Sequence, residues 1–193
     1  MKQVERSELL SLGAYEELRP HFRGRMIAVK ERRRLSLGAH MSIVFENHDT
    51  VLLQVQEMLR TERLSDERAI AHELETYNAL IPPAGGLSAT HFIEYDDPTL
   101  RTKMLVRFAS LRQAIQIRVG DRVAIAKFAT HFGEEMDRLA AVNYLMFDLG
   151  ADQAARLLDP SVPARIEVTH PDYRVEVDMP VALRQELAAD LGA

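Results

Sequence analysis

Cysteine is absent from the 193 residues of this chain. Disulfides, thiolate zinc sites, iron–sulfur ligation by the chain itself and a cysteine nucleophile are therefore excluded. The absence accords with a reducing compartment. No apolar run approaches the roughly 18 residues that cross a bilayer. The N-terminal stretch carries Glu5, Glu8, Glu16, Glu17 and several arginines where a secretory leader would be apolar. The expectation is a cytoplasmic protein with no membrane partner. Glycine-rich phosphate loops are missing too: there is no GxGxxG, no P-loop and no GxSxG, and Gly85-Gly86 stands alone.

An excess of positive charge is also lacking, since the formal net charge is −5. Residues 1–40 hold nine Lys/Arg against five acids, and the remainder is acidic. The basic run Lys30–Arg34, with Arg23 and Arg25, is interrupted by Glu31 and has few aromatics beside it. It reads as a solvated helix face, and nucleic acid is not the expected partner.

What is present suits a folded chain: 47% apolar and 27% charged residues. The length predicts one domain over residues 1–193, with a mainly helical part at 1–86 containing one strand, and a duplicated part at 87–193. In the first part, Ser7–Leu18 reads as a short helix and Pro20 as the start of a second, ending near Gly38. Alternation of Met41, Ile43 and Phe45 predicts a strand. Asn47 or Asp49 caps a helix over Thr50–Leu64, and Ser65 caps another that stops at Pro82-Pro83. So short a link makes these two an antiparallel helical hairpin.

The second part reads twice as β-α-β-β. Strands are expected at Leu87–Tyr95, Ala114–Val119, Arg122–Lys127, Ala140–Asp148, Arg165–Thr169 and Tyr173–Val177. Helices are expected at Pro98–Phe108 and Gly150–Leu158, with a closing helix at Val181–Leu191. Ala89–Asp96 lies over Ala141–Asp148, and Ala114–Val119 over Ala164–Thr169. The predicted class is α+β: N-terminal helices and a helical hairpin with an antiparallel sheet from two β-α-β-β units, and a cleft on the pseudo-axis.

The densest polar cluster falls on the hairpin. Glu46 and Asn47 precede it; Gln56, Glu57 and Arg60 lie on its first helix, and Glu73, Tyr77 and Asn78 on its second. One expectation is that Glu57 and Glu73 face each other and bind a ligand or partner. Another is that the same positions are solvated surface. A divalent metal held by Glu46, Glu57 and Glu73, or by His131 and Glu134, would make the chain a metal-dependent enzyme. His72-Glu73 starts like a zinc-protease helix, but Thr76 stands where the second histidine must be. His170-Pro171-Asp172-Tyr173 reads as a turn.

These residues resemble a bacterial uncharacterised family, domain of unknown function 3501. The resemblance rests on Phe45-Glu46-Asn47 with Thr50, Gln54–Met58 with Arg60 and Glu62, and Glu73-Leu74 with Tyr77-Asn78. It extends to Leu80-Ile81-Pro82, Leu87–Thr90 with Ile93-Glu94, His170-Pro171 with Tyr173, and Arg32–Arg34 before Leu37-Gly38. It implies no assigned activity. Members resemble gene-neighbourhood companions of rubrerythrin-like non-haem iron proteins and iron–sulfur oxidoreductases. That implies an accessory or binding subunit of such a redox system. A homodimer is left open.

Overall fold

The computed structural model describes residues 1–129 and 137–192. A 3-10 turn at Arg6–Glu8 leads to Ser11, whose hydroxyl accepts from the Ala14 N–H and caps helix α1 (Leu12–Arg32). The expected break at Pro20 does not occur. Pro20 lies on the exposed side of the helix, where its ring meets no packed neighbour. Buried Tyr15 and Met26 hold both halves of the helix to the body.

The chain then forms an unforeseen hairpin of β1 (Arg34–Ser36) and β2 (Met41–Phe45). The basic run hid β1, because lysine and arginine suit a helix. Gly38 turns this hairpin with φ +77°, and a Cβ there would meet the Tyr173 hydroxyl at 2.7 Å. Arg33 is 1% exposed rather than solvated. It donates to the carbonyls of Phe45 and Glu46 and pairs with buried Asp190.

Asn47 caps α2 (His48–Thr61) in a reciprocal box with Thr50, and Asp66, not Ser65, caps α3 (Glu67–Asn78). Next come β3 (Gly86–Ile93), α4 (Pro98–Arg107), β4 (Ile115–Val119), β5 (Arg122–Ile125) and β6 (Lys127–Phe128). The chain closes with β7 (Val142–Asp148), α5 (Gly150–Leu158), β8 (Ala164–His170), β9 (Tyr173–Asp178) and α6 (Val181–Leu191).

Two antiparallel sheets result, not one. Their orders are β1-β2-β3-β7-β6 and β5-β4-β8-β9. The run expected as one strand over Arg122–Lys127 breaks at Ala126, and its two pieces join different sheets. Each predicted unit contributes to both sheets. The apolar faces of the two sheets enter a common core with α5 and α6, including Ile43, Phe45, Leu87, Ile117, Phe147, Ile166 and Leu187. A second core joins Val4 and Leu9 of the N-terminal arm to Val51, Val55, Leu59, Ile70 and Tyr77. Each large aliphatic side chain buried there contributes about 1.5–3 kcal/mol.

β4 and β8 pair antiparallel at the centre of the four-stranded sheet, with Ile117 opposite Ile166. Ile115, Ile117 and Val119 point into the core, as do Ile166, Val168 and His170. The alignment of the two expected units sets buried Ile115 over half-buried Arg165, and one residue further on it would set Ile115 over buried Ile166. A slip of one residue reverses every side chain in a strand.

Candidate functional site

The hairpin candidates divide into two groups. The first holds the N-terminal arm. Gln56 is 2% exposed. Its Oε1 accepts from the Leu10 N–H at 2.9 Å, and its Nε2 donates to the Leu10 carbonyl at 3.1 Å. Asn78 does the same for Val4, at 2.8 and 2.9 Å. Each amide replaces a strand rung for a backbone segment that would otherwise be buried with its groups unpaired.

Glu57 faces α1. It accepts from the Tyr15 hydroxyl at 2.6 Å and from Arg19 Nε and Nη2 at 2.8 and 3.0 Å. Bonds from Arg19 and Tyr15 hold its carboxyl down to about 2 against the cost of burial. Arg60 bonds Glu16 at 3.3 Å and approaches Glu57 at 3.7 Å. The expected meeting of Glu57 and Glu73 across the hairpin does not take place. Glu57 turns to Tyr15 and Arg19 on α1, while the charges acting on Glu73 are those of Glu62 and His72. The reason is that α1 packs along α2 and takes the Glu57 stripe.

The second group lies between the hairpin and the five-stranded sheet. Thr90 on β3 donates to the buried Glu46 carboxylate at 2.5 Å. Tyr144 stands opposite Thr90 on β7. Burial, then Tyr77 and Glu46, pushes the Tyr144 phenol up to about 12. Tyr77 is raised by burial and by Glu73 and Glu62, while a hydrogen bond from Gln54 opposes this. Glu73 is itself raised, by burial first and by Glu62 second, with only His72 against it. Glu46, Tyr144, Tyr77 and Glu73 thus make a row in which each group's charge acts on a neighbouring tyrosine. Ser88, two residues before Thr90 on the same strand face, is 2% exposed, and its Oγ has no partner among the described residues.

Several carboxylates elsewhere are neutralised by arginine. Glu57, Glu67, Asp121, Glu167, Asp172 and Glu186 each lie on an arginine. No Arg or Lys pairs with Glu46, Glu62 or Glu73 among the described residues. Tyr144 escaped the sequence reading because only the β3–β7 register brings it to Glu46. Its signal was the lone tyrosine beside the apolar run Leu145-Met146-Phe147.

His131 and Glu134 lie outside the described residues. Among the described residues no three His, Asp or Glu side chains gather as a metal-holding group. Ser110 and His170 do meet, at 2.9 Å. His170 Nδ1 accepts from the Asp172 N–H at 3.1 Å, so the proton of the neutral ring sits on Nε2 and points at Ser110. A base for Ser110 would need the opposite tautomer. The Asp172 carboxylate bonds Arg107 instead. His91, on β3, is 0% exposed, and neither ring nitrogen has a partner among the described residues. Burial pushes it down to about 4.

No helix among the described residues is long and apolar enough to cross a membrane. A search of curated proteins finds no match. A crystal structure of a novel protein of unknown function from Burkholderia pseudomallei K96243 is similar over 98% of this chain and 100% of that one. The two share 33% identity with a TM-score of 0.91, and that likeness bears out the α+β class. A family model described as protein of unknown function DUF3501 matches residues 3–191, and the chain belongs to that family.

Proposed function

We propose that the chain is an accessory or binding subunit of a cytoplasmic non-haem iron or iron–sulfur redox system. It receives a cationic group of its partner at the Glu73–Tyr77–Tyr144–Glu46 row. One observation carries the choice of site: Glu73 is partly buried beside Glu62 with no arginine or lysine against it. A carboxylate held that way gains from an incoming positive charge, which would lower its pKa again. Tyr77 and Tyr144 stay protonated at neutral pH, so the row's negative charge rests on its carboxylates. The kind of partner rests on the family resemblance, and an iron–sulfur oxidoreductase or a rubrerythrin-like protein is the candidate.

Immobilised chain is exposed to lysate of the source organism, and retained proteins are identified by mass spectrometry. The expected result is retention of an iron-containing redox protein by the wild type. A variant carrying Glu73→Gln and Glu46→Gln loses it, with an unchanged circular dichroism spectrum. Equal retention by this variant contradicts the site, and retention of no redox protein contradicts the partner.

We further propose that residues 87–192 arose by duplication. The four-stranded sheet supports this, with β4 and β8 at its centre and the hairpin partners β5 and β9 outside them. In the other sheet β3 and β7 form the central pair, flanked by β2 and β6. Solving a relative that retains higher identity between the halves tests the idea. Superposition of the halves with strands out of order would defeat it.

A further inference from the structure

Among the described residues the four-stranded sheet ends on β5 and β9, and these two edges are made differently. On β5, the Ala126 N–H just beyond the strand donates to the Ile115 carbonyl on β4. Alternation then turns the N–H and C=O of Val123 and Ile125 away from β4, toward the open edge. Their side chains are also out, with Val123 38% and Ile125 55% exposed, while Ala124 between them is buried. On β9, the Met179 N–H donates to the Ala164 carbonyl, which turns Arg174, Glu176 and Asp178 to the other edge. All three are exposed and charged. Charged side chains on an outer edge block strand addition; bare apolar ones invite it. One edge of this sheet is guarded and the other is not.

We infer that β5 is an interaction edge whose occupant is β5 of a second copy of this chain. The edge is complementary to itself. An antiparallel pair centred on Ala124 sets Val123 opposite Ile125 of the second copy, and Ile125 opposite its Val123. Every outward N–H and C=O of these residues then finds a partner in the same register, because residues of one parity meet. The same pairing brings valine against isoleucine twice on the outer face, a favourable cross-strand combination. A register slipped by one residue, with the axis between Ala124 and a neighbour, sets outward groups against inward ones and satisfies none. The sheet would run β9-β8-β4-β5 and on through β5 of the second copy. The contact is short, so the dimer is a weak one.

Sedimentation equilibrium across the micromolar range, up to about 1 mM, reads the result. The wild type is expected to pass from monomer to dimer. Val123→Lys and Ile125→Glu, each alone, should weaken association at least about tenfold while leaving the monomer folded by circular dichroism. The double variant sets lysine against glutamate on both sides of the axis and should recover dimerisation. Glu176→Lys on the other edge should change nothing. A wild type that stays monomeric throughout overturns the inference. So does a dimer untouched by Ile125→Glu, or a double variant no better than the singles.

Discussion

Replacing Glu57 with glutamine should destabilise the fold by about 2–3 kcal/mol at neutral pH, and the loss should disappear in acid. The carboxylate accepts three hydrogen bonds, from Tyr15 and twice from Arg19, and its side chain is 24% exposed. Its pKa falls from an ordinary 4.5 to about 2. At about 1.4 kcal/mol per unit, that amounts to roughly 3 kcal/mol, trimmed somewhat by solvent at the rim. Hydrogen bonds to a charged group give a similar figure, about 1.5–3 kcal/mol. For a chain of this size the melting temperature should drop by roughly 5–10 °C. The folded pKa is depressed, so the stabilisation is present above the unfolded value and is lost as pH falls from about 4.5 toward about 2. Urea unfolding of wild type and variant, at several pH values, should show a gap at neutrality that narrows through this window. A gap under about 0.5 kcal/mol at neutral pH, or one that does not change with pH, refutes the assignment of Glu57 to anchoring α1.

Glu73→Gln should behave in the opposite way. Its folded pKa is raised, so the ionised form opposes folding, and the variant should equal or exceed wild-type stability at neutral pH, losing that advantage in acid. Thermal melts at both pH values decide it. His91 is depressed from 6.5 to about 4, so wild-type stability is full above 6.5 and falls as pH drops toward 4. His91→Leu should remove about 3 kcal/mol of that acid sensitivity, read by denaturant midpoints across the window. Gln56→Ala or Asn78→Ala should cost about 1–3 kcal/mol and loosen residues 1–11. Limited proteolysis should then cut ahead of α1, and an arm as resistant as in the wild type argues against the clasp.

The local signals read well in the sequence. Asn47, Pro98 and the Gly120-Asp121 turn each fixed an element end through chemistry within four residues. Errors came where distant contacts decide. Pro20 sits inside a helix because Tyr15 and Met26 are packed beneath it, which no local pattern reveals. The Arg122–Lys127 run looked like one strand, yet its ends belong to different sheets. The hairpin was legible as a polar cluster, but not which partners its side chains would choose. Gln56, Glu57 and Asn78 turned to an N-terminal arm far away in sequence. Tyr144 joined Glu46 only through the β3–β7 pairing.

The proposed function depends most on the carboxyl of Glu73 being uncompensated in the free chain. A carbon-13 NMR titration of that carboxyl, alone and with the captured partner, measures this. The account predicts a midpoint above the ordinary glutamate value in the free chain and a fall on binding. A midpoint at or below the ordinary value in the free chain would contradict it.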